Sequence, residues 1–225
     1  KKIHNTRNNL GTPAYLNNII WFLKAQLLTP AKEFDAIDDH IFFENGKLDL
    51  VNYTFSDTVP SDLNTFTTGY DFSWDVEQQE RDLHEKVIQQ IYPEPSIREA
   101  AQRILSTSLI ATCIKHFFVH TDKRGEFSGN NGKTLIFDLH LSTMGDYGAK
   151  PKKDMFLSST LVNAEGPTSN LAGLLHKRVS MVEELGSERW LNASDIKEFT
   201  GSSNPVVQSR KMRENFSSFV IHSFN

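Results

Sequence analysis

Residues 128–134 read Ser-Gly-Asn-Asn-Gly-Lys-Thr, and the ending Gly132-Lys133-Thr134 has the composition of a phosphate-binding loop. Small residues let successive backbone N–H groups converge on phosphate oxygens, a lysine reaches the outer phosphates, and a threonine hydroxyl can bind Mg²⁺. The next segment, residues 135–141, is mostly apolar and fits a helix whose positive N-terminal end would face those phosphates. The stretch therefore predicts a nucleotide triphosphate site in an α/β fold.

The loop pattern is incomplete. The full pattern G-x-x-x-x-G-K-[ST] has glycine where this chain has Phe127, although Gly129 still supplies backbone freedom. Apolar and β-branched residues in the segment 117–127 predict the strand that should precede the loop. Taken alone, the loop also fits a surface turn rich in glycine and asparagine, and this alternative stays open.

Composition indicates an ordinary globular chain of 225 residues, of which 38% are hydrophobic. No apolar run approaches the roughly 20 residues of a membrane span, so we expect no membrane partner. Cys113 is the single cysteine, which favours a buried thiol in a reducing, intracellular compartment.

Charge is distributed unevenly along the chain. Residues 1–96 carry 8 Lys and Arg against 15 Asp and Glu, a net charge of −7. Residues 97–225 carry 16 Lys and Arg against 13 Asp and Glu, a net charge of +3. Any contact with nucleic acid should therefore come from a local cluster in the second half.

The first half predicts a small α+β module over residues 1–95. Asn45-Gly46 is a strong hairpin signal between two apolar runs. Pro93 and Pro95 mark a boundary, with a core domain over residues 96–225. The other predicted elements are a helix over 12–28, strands within 40–55, and helices over 76–92 and 96–117.

After the loop, the order of elements is typical of an α/β core with a mainly parallel sheet. A lysine-rich polar stretch, residues 145–155, separates the helix from small elements and from a second apolar strand at 178–185. That strand leads into Glu183-Glu184. At the carboxyl edge of a parallel sheet, such acids can meet the Mg²⁺ of a nucleotide and orient the attacking water. We assign Glu183 to the metal, through water, and Glu184 to polarising the nucleophile; a solvated acidic turn is the alternative.

The last segment, residues 219–225, is an apolar strand that ends in Asn225. A neutral amide at this position could sense the γ-phosphate and help to hold the lytic water. Asparagine at a strand end is more often a turn residue, so the order of the motifs carries the assignment.

Several further short motifs occur in a fixed order along the chain. They are Asn131-Gly132-Lys133-Thr134, Gly145-Asp146-Tyr147, Lys177-Arg178 before the acidic strand, Lys197-Glu198 with Thr200-Gly201, then Arg210 and Asn225. Residues 43–55 add an Asn-Gly-x-Leu-Asp-Leu stretch in the first half. This ordered set resembles the superfamily 3 helicases, and within them the primase-helicases of poxviruses and other nucleocytoplasmic large DNA viruses. The resemblance covers nearly the whole chain and departs from the family at Phe127 and in the long segment before the loop.

The resemblance implies an AAA+-like P-loop ATPase core that hydrolyses ATP with Mg²⁺ between the subunits of a ring, usually a homohexamer. It implies single-stranded or forked DNA as the partner, together with other replication proteins, in the host cytoplasm or at a viral replication site. The ATP ligands would be Gly129, Asn130, Asn131, Gly132, Lys133 and Thr134, with Thr134 and Glu183 on the metal and Glu184, Glu183 and Asn225 in catalysis. Lys197, Arg210, Lys211 and Arg213 are the cations available to contact the strand, or they are ordinary solvated charges.

Two other functions stay open. Another P-loop NTPase, such as a small GTPase or a nucleotide kinase, would share the loop, although the chain lacks the Asn-Lys-x-Asp motif of a GTPase. A ring scaffold without catalytic activity would bind nucleotide weakly because of Phe127. The chain stops where the family continues with an arginine finger, so we expect a fragment that contains only the cis half of the active site.

Overall fold

The structure is a computed structural model that describes residues 12–30, 33–111, 115–120, 132–157, 169–182, 190–201, 206–209 and 217–220. Within these ranges the chain is a mixed α/β protein with small sheets. The helices are α1 Pro13–Gln26, α2 Gln78–Ile91, α3 Pro95–Ser106, α4 Lys133–Met144, α5 Ser169–Ala172 and α6 Ala193–Thr200. The strands are β1 His40–Phe43, β2 Gly46–Asp49, β3 Thr54–Ser56, β4 Gly148–Ala149, β5 Val179–Ser180, β6 Val206–Ser209 and β7 Ser217–Val220.

The helices α1, α2 and α4 confirm the sequence predictions for their segments. Pro13 opens α1, where its missing N–H costs no helical hydrogen bond. No side chain of α1 is buried, and Trp21 is 73% exposed. Among the described residues, no helix is both long and apolar enough to cross a lipid bilayer.

The predicted hairpin in the first half is confirmed, with a shifted turn. β1 pairs with β2 in antiparallel fashion, and the pair Phe43↔Gly46 closes a turn made of Glu44 and Asn45. Gly46 is therefore the first residue of β2 and not a central turn residue. Its φ of 154° and the nearness of Ser56, whose carbonyl oxygen would lie 2.6 Å from an added Cβ, explain why glycine is needed there. β3 completes a three-stranded antiparallel sheet.

The helix predicted over 96–117 is wrong beyond Ser106. Three successive hydroxyl side chains bond back to backbone carbonyls: Ser106 Oγ to Arg103, Thr107 Oγ1 to Ile104 and Ser108 Oγ to Leu105. Such bonds compete with a regular helical ladder. The chain accordingly tightens into a 3₁₀ turn at Thr107–Leu109 and then extends.

The strand predicted before the loop is not formed within residues 115–120. This segment is held by side-chain contacts instead. The ring of Phe117 lies 6.0 Å from that of Phe156, and the ring of His120 lies 5.0 Å from that of Phe137. Residues 121–131 lie outside the described residues.

The mainly parallel sheet is confirmed only in part. Among the described strands, β4 and β5 form the parallel pairing, with the register Gly148↔Val179 and Ala149↔Ser180. Of the strand predicted at residues 178–185, Val179 and Ser180 form β5, and residues 183–185 lie outside the described residues. The strands β6 and β7 form a separate antiparallel pair.

One hydrophobic cluster joins the two halves of the chain. Its buried members come from both sides of residue 95: Ile41, Phe43, Met144, Tyr147, Val179 and Met181. A second cluster, of Phe156, Leu174 and Phe199, supports α6. The domain boundary near residue 95 stays a prediction, and the first-half hairpin packs directly on the β4–β5 pair.

Candidate functional site

The N-terminal end of α4 carries the described part of the predicted phosphate loop. Gly132 precedes the helix in a left-handed conformation (φ 72°), Lys133 and Thr134 are its first two residues, and Ile136 N donates the first helical hydrogen bond to Gly132 O. Lys133 is half-buried and Thr134 is exposed. This confirms the helix predicted over residues 135–141, although α4 begins two residues earlier, at Lys133.

No described side chain at this helix end would compete with a bound anion. No side chain caps the first turn of α4, and that turn contains no acidic residue. Within the described ranges, no carboxylate forms an ion pair with Lys133. The first-turn N–H groups carry the positive end of the helix dipole, so the residues present suit a phosphate group, and the exposed Thr134 hydroxyl suits a hard cation.

β4 runs back along α4 toward the start of that helix. Gly148 lies against Leu141, whose Cδ2 would be 3.1 Å from a Cβ at Gly148. Two residues later, Lys150 Nζ forms an ion pair of 3.4 Å with Asp138 Oδ1. β4 is therefore antiparallel to α4 and runs toward the N-terminal end of that helix.

β5 points in the same direction, because it pairs in parallel with β4. Met181 N donates to Ala149 O at 3.0 Å and continues this pairing. Val182, which packs against the second cluster, is the last described residue before the two predicted acids. β5 therefore points toward the N-terminal end of α4.

Several of the predicted site residues lie outside the described residues. They are Gly129, Asn130, Asn131, Glu183, Glu184, Arg210, Lys211, Arg213 and Asn225. Their assignments stay predictions.

Lys197 is the described member of the predicted strand-contacting cations. It lies exposed in the last turn of α6 and has no ion pair with any described carboxylate. Asn192 caps α6 through hydrogen bonds from Ser194 N and Asp195 N at 3.1 and 3.4 Å. The buried Phe199 fixes the other end of the helix, with its ring 6.3 Å from that of Phe156. Lys197 is thus an available cation on a firmly held helix.

The Gly-Asp-Tyr motif attaches the first half of the chain to the end of α4. Asp146 N donates to Thr67 O at 2.9 Å, and Thr67 N donates to Asp146 Oδ2 at 3.1 Å. The Tyr147 hydroxyl accepts from Phe42 N and donates to Phe66 O, both at 3.2 Å. Burial raises the pKa of Tyr147, so the phenol stays protonated and able to donate.

The Lys-Arg motif completes this attachment. Arg178 is 3% exposed, and its guanidinium donates to the carbonyls of Leu109 (3.0 Å), His40 (2.6 Å) and Ile37 (3.4 Å). Its Cζ also lies 4.8 Å from the centroid of the Tyr147 ring. The sequence marked Arg178 only as a motif match, since a contact between residues 138 positions apart leaves no local signal. The arrangement shows that it anchors the start of β5.

Lys177 has a more exposed setting beside Arg178. Its Nζ donates to Asp146 O and lies 4.6 Å from the centroid of the Phe66 ring. Burial lowers the pKa of Lys177. The residue therefore reinforces the same contact between the two halves.

A buried histidine links α4 to the turn after α3. His140 Nε2 lies 2.9 Å from the Oγ of Ser108, which is fully buried. Burial lowers the pKa of His140 below its ordinary value near 6.5, so the folded protein holds this imidazole neutral. No local pattern in the sequence indicates this pair.

This lowered pKa predicts acid sensitivity. The unfolded chain takes up a proton at His140 below about pH 6.5 whereas the folded chain resists it, so stability is full above that pH and falls as the pH drops below it. Denaturant unfolding of the wild type should show a lower midpoint at pH 5.5 than at pH 7.5. In His140→Gln, which keeps a donor for Ser108 and does not titrate, this difference should shrink. An equal loss in both proteins would assign the pH dependence to other groups.

Comparison with known proteins relates the chain to a viral sequence. No protein-family model matches it. A protein of Acanthamoeba polyphaga mimivirus, named “Putative helicase”, is 31% identical to it over 166 residues. The matched region takes in 72% of this chain and 16% of the viral protein. The chain thus spans about a sixth of the length of the relative that it matches.

Proposed function

We propose that the chain is part of a nucleic-acid helicase that binds ATP at the N-terminal end of α4 and hydrolyses it with Mg²⁺, as superfamily 3 helicases do. One observation carries the proposal: left-handed Gly132 leads directly into α4, with Lys133 and Thr134 as the first two helical residues and no acidic side chain in the first turn. The likeness to a mimivirus protein named as a helicase supports it.

The phosphates would be held by the chain's own donors. Backbone N–H groups of the loop from Gly129 to Gly132 and of the first turn of α4 would bind phosphate oxygens, while Lys133 would reach the outer phosphates. The Thr134 hydroxyl would bind Mg²⁺, which when present neutralises the charge on the phosphates. Asn130 and Asn131 complete the loop.

The direction of β5 supports the roles of the two acids. β5 pairs in parallel with β4, which runs back along α4, so β5 points toward the helix end that carries Thr134. In this proposal Glu183 holds the metal through water, Glu184 polarises the attacking water, and Asn225 senses the γ-phosphate.

DNA would be contacted by cations of the second half, which carries a net charge of +3. β6 and β7 pair from Val206↔Val220 to Ser209↔Ser217, and Arg210 and Lys211 follow β6 in sequence. With Lys197 on α6, these residues would bind the phosphate backbone without reading sequence. The ring, its homohexameric form and its preference for single-stranded or forked DNA belong to the same proposal.

Calorimetric titration with ATP and Mg²⁺ tests the nucleotide site. We expect saturable binding, with roughly one ATP per chain. GTP serves as the competitor, because a base-selective GTPase would prefer it. Absence of ATP binding at millimolar nucleotide would refute the proposal, and preference for GTP would favour a different P-loop NTPase.

Glu184→Gln tests the catalytic assignment. The neutral amide keeps the size of the side chain and cannot polarise water as a carboxylate does, so ATP binding should stay within about twofold while turnover falls by about a hundredfold or more. Binding by calorimetry and phosphate release by the ring-forming protein are measured in parallel. Loss of ATP binding would assign Glu184 a different role, and unchanged turnover would remove it from catalysis.

A further inference from the structure

The end of α2 presses against Gly132 at the start of the phosphate loop helix. If Gly132 carried a Cβ, that atom would lie 2.7 Å from Ile91 Cγ1, 2.9 Å from Cδ1 and 3.7 Å from Cγ2. Carbon atoms in ordinary contact stay about 3.5–4.0 Å apart. The half-buried Ile91 side chain therefore fills the space that any other residue at 132 would need.

Gly132 is constrained in two independent ways. Its φ of 72° lies in the left-handed region, which residues with a Cβ rarely adopt. The Ile91 side chain supplies the second constraint, because it occupies the Cβ side of Gly132. Together they require glycine at 132, and the Ile91 side chain closes one side of the backbone from which Lys133 and Thr134 enter α4.

The corner between α2 and α3, which carries Ile91, is held by hydrogen bonds to backbone atoms. Tyr92 N donates to Ile88 O at 2.8 Å, and Arg98 Nη1 donates to Tyr92 O at 3.0 Å, which ties the end of α2 to α3. The Tyr92 hydroxyl is buried and has no hydrogen-bond partner among the described residues. Polar pairing of this side chain within the described residues therefore does not fix the corner. Ile91 thus acts as a fixed wall.

We propose that Ile91 is a positioning residue for the nucleotide site, which it serves by holding Gly132 in place. Through this contact, phosphate binding at Lys133 and Thr134 depends on the position of α2, a helix of the first half of the chain. The proposal rests on the proposed ATP site. It adds to that site the residue Ile91, which lies 41 positions before Gly132 in sequence and affects phosphate binding. Nothing in the local sequence around Ile91 indicates this role.

A matched pair of alanine variants separates positioning from stability. Ile88 lies one turn earlier in α2 and is 4% exposed. The three atoms nearest to a Cβ at Gly132 all belong to Ile91, and none belongs to Ile88. We expect Ile91→Ala to weaken ATP binding about tenfold, since small misplacements of binding groups are costly. Ile88→Ala should lower the melting temperature at least as much and leave ATP affinity within about twofold. Equal affinity losses in the two variants would overturn the proposal.

A rescue experiment tests the contact itself. Gly132→Ala should weaken ATP binding strongly, because the new methyl group meets Ile91 and the positive φ is strained. The double variant Ile91→Ala with Gly132→Ala should bind ATP more tightly than Gly132→Ala alone, since the truncated side chain makes room. Strictly additive losses, or equal rescue by Ile88→Ala, would contradict the proposal.

Wild-type protein distinguishes the two levels of failure. Absence of ATP binding by the wild type would remove the proposed function and this inference with it. ATP binding by the wild type, together with undiminished binding by Ile91→Ala, would leave the function standing and refute the role of Ile91 alone.

Discussion

Lys133→Ala is expected to lower ATP affinity by about a hundredfold and to abolish hydrolysis in the assembled protein. Charge-assisted hydrogen bonds contribute roughly 1.5–3 kcal/mol each, and every 1.4 kcal/mol changes affinity tenfold. Lys133 follows Gly132 in the last three residues of the loop, Gly132-Lys133-Thr134. It is half-buried at the N-terminal end of α4, where the helix dipole is positive. Alanine is a good helix former, so the variant should fold normally. ATP titration calorimetry and the melting temperature without nucleotide measure the two effects.

Lys152→Ala provides the matched control. Lys152 is an exposed lysine in the polar stretch after β4, outside the loop. This variant should bind ATP as the wild type does, because the same charge is removed without touching the site. Undiminished ATP binding by Lys133→Ala would sink the assignment of the loop.

Arg178→Ala is expected to lower the free energy of unfolding by about 3–5 kcal/mol, because hydrogen bonds to a charged group contribute about 1.5–3 kcal/mol each. The substitution removes the donors to three backbone carbonyls, at Leu109, His40 and Ile37, and empties the space over the Tyr147 ring. Buried acceptors left without donors are costly. Because most domains are stable by only about 5–15 kcal/mol, this variant should unfold at a much lower denaturant concentration, as monitored by circular dichroism.

Arg103→Ala removes an arginine whose ion pair with Glu99 is exposed to solvent. Exposed pairs within a helix contribute about 0.3–0.5 kcal/mol, so this control should be nearly neutral. A loss in Arg178→Ala no larger than that in Arg103→Ala would show that Arg178 does not anchor the two halves.

Local patterns predicted the elements whose signals are local. The hairpin in residues 40–55 followed from two apolar runs around Asn45-Gly46, and α2 from its apolar spacing and the prolines after it. The helix after the phosphate loop followed from the apolar segment 135–141, although α4 begins at Lys133. In each case the residues that determine the element lie within the element or at its ends.

The errors arose where side chains compete with backbone pairing. Ser106, Thr107 and Ser108 were included in a long helix, although their hydroxyls bond back to carbonyls and end it. Residues 117–120 have the composition of a strand, yet Phe117 and His120 are held by aromatic contacts. Composition alone does not distinguish such a segment from a strand.

Contacts between residues that are distant in sequence could not be predicted from local sequence patterns. The order of the motifs marked Gly145-Asp146-Tyr147 and Lys177-Arg178, and the structure gives them a physical role as the attachment between the halves. The contact of Ile91 with Gly132 and the pair Ser108–His140 depend on tertiary packing, which no short pattern records. The mimivirus relative supports the helicase interpretation over part of its own length.

The most direct test of the helicase account is ATP hydrolysis by the ring-forming protein with and without single-stranded DNA, at low and high salt. The account predicts Mg²⁺-dependent hydrolysis that single-stranded DNA stimulates, with stimulation lost at high salt because phosphate contacts carry the binding. Hydrolysis that is indifferent to DNA would favour another P-loop NTPase. A ring that binds DNA without hydrolysing ATP would contradict the account.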